Sequence, residues 1–172
     1  MMRALSLICC LAVCSLSARA QKAAPMSDQK FVDFAAQTDM VEANLGELAQ
    51  NVANSRAVKD YGQMLTADHT SDYQQLQHVA QQAGLMVPTA IDAEHNKSMI
   101  GPMHALKGAA FDKRFSHDMV AGHTEAIAIY KKEADDAQNA GLKQYAQNTL
   151  PVLEKHLDNA KALETGKAAA GK

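Results

Sequence analysis

TDMVEANLGELA occupies Thr38–Ala49, and HDMVAGHTEAIA occupies His117–Ala128. Both place Asp-Met-Val ahead of a segment whose apolar residues recur three and four apart, the spacing of one face of an α-helix. The same relation joins VKDYGQ (Val58–Gln63) to LKQYAQ (Leu142–Gln147). The paired segments come in the same order, so the chain reads as a helical hairpin followed by a second, similar one. Two such hairpins bury their apolar stripes by packing on each other, which predicts an all-α, antiparallel four-helix bundle.

The stripes set the helix limits. Ser27 is a candidate N-cap, and Phe31, Phe34, Thr38, Val41, Leu45, Leu48 and Val52 mark a first helix from about Asp28 to about Asn54. Val58, Tyr61, Leu65, His69, Asp72, Leu76, Val79 and Ala83 mark the second, closed by Gly84 ahead of Pro88. Periodicity is lost from Leu85 to Lys107, where Pro88, Gly101 and Pro102 fall. A connection of that length suits a crossover running the length of the bundle. Phe111, Phe115, Met119, Val120, His123, Ile127, Tyr130 and Ala134 mark the third helix, which stops near Asn139–Gly141. Leu142, Tyr145, Thr149, Leu153, His156, Leu157, Ala160 and Leu163 mark the fourth, in which Pro151 should bend the helix or mark its start. Residues 27–165 thus read as one bundle domain, and 166–172 as a mobile tail with nothing to bury.

Residues 1–20 are read apart from the fold. Arg3, the apolar run Leu5–Leu16 and Ala18-Arg19-Ala20 have the layout of a cleaved export signal. The run is shorter than the ~20 residues of a spanning helix, and no later stretch supplies one, so no transmembrane helix is expected. Cys9, Cys10 and Cys14 all lie in this leader, so an exported chain would carry neither thiol nor disulfide. Cleavage at LAVC would instead leave an acylated Cys14, but Val13 is bulky for the position before a lipoprotein cysteine. Of the 17 basic residues, Arg3 and Arg19 belong to the leader, leaving 15 against 19 acidic and a mature balance of −4. That balance argues against nucleic acid as a partner. Localisation is expected to be periplasmic or outer-membrane-associated; a homo-oligomer and a protein partner stay open.

Seven histidines separate by face. His78 and His117 have polar surroundings, and His95 and His104 lie in the crossover. His69, His123 and His156 sit on core-facing stripes, and Glu42 stands on the edge of the first helix's stripe, where a buried carboxylate needs a partner. At about 1.5 Å per residue, Glu42 and His69 lie roughly 18 and 21 Å from the first turn, and His123 and His156 roughly 25 and 23 Å from the second. All four therefore meet near mid-bundle. Three imidazoles and a carboxylate at one height make a candidate metal site, suited to zinc, iron, copper or manganese. Asp68 and Asp118 are candidate acceptors that would orient the rings. The alternative is three core histidines, each with an ordinary hydrogen bond. A methionine cluster is a weaker idea, because Met40, Met64 and Met119 fall at packing positions. No glycine-rich phosphate loop, nucleophilic serine motif or mature cysteine points to catalysis.

MLTADHT (Met64–Thr70), FDKRFSHDMVAGHTEAIAIY (Phe111–Tyr130) and NTLPVLEKHLDNAKAL (Asn148–Leu163) resemble a bacterial ferritin-like family, domain of unknown function 4142, often labelled predicted outer-membrane protein. The resemblance covers about Gln29 to Leu163. It implies a ferritin-like four-helix fold in the cell envelope, no established reaction, and Glu42, His69, His123 and His156 as the site. The family usually has Asp-His in the third helix where this chain has Gly122-His123, so that aspartate's role is missing or falls to Asp118. The chain also lacks the Glu-x-x-His of di-iron carboxylate proteins, since Thr66 and Leu153 stand three residues before His69 and His156. Three readings follow: an exported metal-binding bundle for metal handling or envelope stress tolerance, a metal-free structural or interaction bundle, and a redox enzyme with an open coordination position.

Overall fold

The computed structural model describes residues 26–166; the leader read at 1–20, Cys14 and tail residues 167–172 lie outside them. Four long helices carry the fold: α1 (Asp28–Val52), α2 (Arg56–Gln82), α5 (Gly108–Asp136) and α6 (Ala140–Glu164). The connection between α2 and α5 holds α3 (Ala93–His95), a π-helical turn (Asn96–Ile100) and α4 (Gly101–His104), helical turns that its short, Pro-interrupted pattern did not reveal. Pro151 lies inside α6, on its exposed side, and does not start the helix.

Helix ends are satisfied by side chains and by neighbouring helices. Ser27 Oγ accepts from Lys30 N at 3.4 Å, and Asn139 Oδ1 accepts from Gly141 N and Leu142 N at 2.9 and 3.1 Å. The α1–α2 turn is held from outside: the Asp112 carboxylate of α5 accepts from Asn54 N at 2.9 Å and Ser55 N at 2.8 Å. Gly84, at φ +70°, closes α2, with Leu85 N donating back to Ala80 O at 2.9 Å.

These bonds also fix the topology. Gln29, at the start of α1, exchanges hydrogen bonds with the backbone of Met86 just past α2, so α1 and α2 are antiparallel. Asp112 and the Ala53–Gly108 bridge put the start of α5 beside the end of α1, so α2 and α5 begin at one end and run parallel. The connection must therefore travel the length of the bundle. Gln37 holds it to α1 by donating to Ala90 O and accepting from Asp92 N, both at 3.0 Å, while Ile100 and Met103 bury its inner side.

The apolar core falls into two clusters. One gathers Phe31, Leu76, Tyr130, Leu142, Tyr145 and Leu153; the other gathers Leu45, Tyr61, Leu65, Phe111, Phe115 and Met119. Between them along the helices lie the buried polar residues Asp39, Glu42, His69, Asp72, His123, Thr149 and His156.

In the second cluster's half, α1 and α2 approach at Gly46 and Gly62. A Cβ on Gly46 would stand 2.5 Å from Gly62 O and 2.7 Å from Thr66 Oγ1. Alanine would gain about 1 kcal/mol in helix propensity, but prying two packed backbones apart costs about 1–3 kcal/mol. Gly46→Ala is expected to be destabilising by about 1 kcal/mol in urea denaturation, the reverse of what its helical position alone implies. At the other end, burial pushes the Glu133 carboxyl up to about 7, with Asp28 and Asp136 adding to the shift and Lys132 opposing it. The folded state thus holds a proton that the unfolded state releases first, and stability falls as pH rises from the ordinary glutamate range through 7. Glu133→Gln should match the parent at pH values below the ordinary glutamate range and exceed it by about 1–2 kcal/mol above pH 7, measured as the pH dependence of the unfolding midpoint.

Candidate metal centre

Three helices each aim one imidazole at the middle of the polar layer. His69 lies between Leu65 and Asp72 on α2, His123 between Met119 and Ile127 on α5, and His156 between Leu153 and Ala160 on α6; none is more than 1% exposed. Their ring centroids are 5.2 Å apart for His69–His156, 5.3 Å for His123–His156 and 5.9 Å for His69–His123. One nitrogen from each ring lies within 4.8 Å of the other two.

Each ring spends one nitrogen on a protein acceptor. His69 Nδ1 meets Asp39 Oδ1 at 2.9 Å, His123 Nδ1 meets Met119 O at 2.9 Å, and His156 Nε2 meets Asp68 Oδ2 at 2.8 Å. A carbonyl or ionised carboxylate oxygen accepts a hydrogen bond from the ring N–H, so the opposite nitrogen of each ring carries the lone pair. Those opposite atoms, His69 Nε2, His123 Nε2 and His156 Nδ1, are buried and have no hydrogen-bond partner among the described residues. An orphaned polar atom costs about 1–3 kcal/mol, and three at one height are an arrangement that an electrophile would satisfy. Orienting one imidazole nitrogen with a carboxylate or carbonyl while the other faces inward is how proteins present histidine to a metal. Metal–nitrogen bonds of about 2.0–2.1 Å set donor spacings of roughly 3.4 Å, inside the 4.8 Å within which the group holds one nitrogen of each ring.

The profile of DUF4142, a domain of unknown function, matches residues 14–163. This chain belongs to the DUF4142 family. Among solved structures, CopM in the Cu(II)-bound form is similar to it with a TM-score of 0.70 at 14% identity, covering 83% of this chain and 99% of that one. At that identity the likeness shows a shared helical fold. No curated protein matches the chain.

In this DUF4142 bundle the sequence-derived residues separate into three groups. His69, His123 and His156 come together. Glu42 stands beside them but outside the close group: its Oε1 lies 3.8 Å from His123 Nδ1, the nitrogen already bonded to Met119 O, and its Oε2 is buried without a partner. Asp68 meets His156, whereas Asp118 turns outward and pairs with Arg114 Nε at 2.7 Å. The acceptor of His123 is thus a backbone carbonyl one turn back on its own helix, and Asp118 has no part in orienting the ring.

Asp39, the partner of His69, is a site residue that sequence reasoning missed. Burial raises its carboxyl well above the ordinary range, with Glu42 adding and the Tyr145 hydroxyl opposing. Asp72, also buried, is pushed up to about 7 by desolvation and by Asp39 and Asp68. Burial lowers His69 to about 4 against the pull of Glu42, and lowers His156 to about 3, with His69 adding to the shift. Both rings are therefore neutral at neutral pH, with a lone pair available.

The hydrogen bonds dictate unlike tautomers. Long-range proton–nitrogen spectra of the metal-free protein at neutral pH should show His69 and His123 protonated on Nδ1 and His156 protonated on Nε2. Uniform tautomers for the three rings would contradict this arrangement.

Proposed function

We propose that this DUF4142 protein is an exported bundle that binds a first-row transition-metal ion through His69 Nε2, His123 Nε2 and His156 Nδ1, in the service of metal handling or envelope stress tolerance. The observation that carries the reading is a close group of three buried imidazoles, one nitrogen of each within 4.8 Å of the others, in which every ring has one unpartnered nitrogen and is held at its other nitrogen by Asp39, the Met119 carbonyl or Asp68. A bundle needing only stability would do better with apolar side chains there, because a partly satisfied buried polar layer is worse than a well-packed apolar one.

The donor set narrows the ion. All three members of the close group are imidazoles, with no thiolate or carboxylate among them, which favours copper(II) and zinc over manganese. The fold relative CopM, solved with Cu(II) bound, supports the same choice. The Arg3–Ala20 leader pattern supports export. No helix of the described residues is long and apolar enough to cross a membrane. When bound, the ion would supply the electrophile that the three lone pairs lack; the residues behind the rings would set their direction and tautomer.

Metal content of the protein, purified without affinity tag or chelator, tests this beside a His69→Asn/His123→Asn/His156→Gln variant. Each substitution keeps a donor for the acceptor behind the ring and deletes the inward nitrogen, so the fold should survive. About one copper or zinc per chain is expected in the parent and none in the variant, with unchanged helical circular dichroism. Added at a thousand times its dissociation constant, the ion should stabilise the parent alone, by about 4 kcal/mol. A parent that takes up neither ion overturns the reading.

A further inference from the structure

The three rings are closed off from solvent, so an ion can reach them only past a side chain that moves. On one side the way is blocked by Asp68, which is 37% exposed and holds His156 Nε2. On the other side a cleft of about 240 Å³ opens between α1, the π-helical turn and α5, with Glu42, His95, Met99, Gly122 and Glu125 on its walls. Its inner end is the Glu42 carboxylate, which is 4% exposed, 3.8 Å from His123 Nδ1 through Oε1, and without a partner at Oε2.

Gly122 makes the gap over that carboxylate. A Cβ there would sit 3.5 Å from Glu42 Oε1, ordinary contact, so alanine fits and anything longer fills the cleft. Glu42 and Glu125 are the acidic residues of the lining, and no lysine or arginine is among the lining residues. A cleft lined with negative charge concentrates cations. The mouth also carries nitrogen and sulfur donors: His95, whose Nδ1 is held by Asp92 at 2.9 Å so that Nε2 is its available donor, and the thioether of Met99. Met99 sits on the π-helical turn, a backbone irregularity that proteins concentrate at functional sites.

We propose that this cleft is the port through which a transition-metal cation reaches His69, His123 and His156. The Glu42 carboxylate takes the ion at the inner end and passes it to the rings. Glu42 is then a relay, which accounts for a buried carboxylate that lies beside the close group of donors without joining it. The proposal rests on the metal-binding reading, and rates separate the two.

Copper(II) is mixed rapidly with the full protein, and binding is followed through quenching of tyrosine fluorescence; Tyr61 lies 6.5 Å from His156, centroid to centroid. Gly122→Leu should slow association and dissociation together, by about tenfold or more, at unchanged equilibrium affinity. Gly122→Ala should do so less, and Ala121→Leu, on the exposed side next door, not at all. Glu42→Gln should slow association, and Glu125→Gln should weaken its dependence on ionic strength. If the parent binds neither copper nor zinc, the metal reading and the port both fail. If the parent binds and folded Gly122→Leu loads at the parent's rate, the port alone is overturned.

Discussion

Placing three imidazoles at the dry centre of a four-helix bundle is the constraint around which the rest of this protein is arranged. The layer interrupts the apolar core, so each half must be packed separately. It also demands acceptors for the outer nitrogens, and these come from three different sources: a carboxylate on α1, a carbonyl on α5 and a half-exposed carboxylate on α2. Six of the eight buried unpartnered side-chain atoms among the described residues lie in this one layer. Orphans concentrated in that way mark a place where the fold gives up stability, and metal binding as proposed supplies the reason.

The partners behind the rings produce an asymmetric site. His69 and His123 face inward with Nε2, and His156 with Nδ1, because Asp68 reaches His156 from the far side of its ring. The Tyr61 hydroxyl donates to the His156 carbonyl at 3.1 Å, tying that stretch of α6 to α2 and helping to keep the third ring in place. Ring direction is thereby set by both main chain and side chains, which limits what a single substitution can loosen.

Much of this was legible in the sequence, and the exceptions have physical causes. His69, His123 and His156 stand on stripes whose neighbours are large and apolar, so their inward direction could be read from spacing alone. The stripe of α1 inferred from its large residues lies a little off the true inner face. Phe34, Thr38, Leu48 and Val52 are only half-buried, and the inner side is built of Ala35, Ala36, Asp39, Glu42, Gly46 and Ala49. Small residues give little hydrophobic signal, and the Gly46–Gly62 approach that makes them necessary is a property of two helices together. Asp39 was hidden for that reason, and its partner stands 30 residues away. Asp118 was the opposite case: near His123 in sequence, it is drawn outward by Arg114 one turn before it. The helical turns of the connection are too short to show a period, and only their anchoring by Gln37 and the burial of Ile100 and Met103 reveal their place.

The near-repeat that relates the two hairpins divides the site between them. His69, its partner Asp39 and the Asp68 carboxylate that orients His156 belong to α1 and α2, while His123 and His156 belong to α5 and α6. Neither hairpin holds three inward nitrogens, so a three-coordinate site exists only while the hairpins are docked. The bundle behaves in this respect as a heterodimer covalently joined by its crossover, with the proposed ion site on the seam between its halves. Occupancy and docking are then two descriptions of a single equilibrium, and ligand binding strengthens the seam that creates the site.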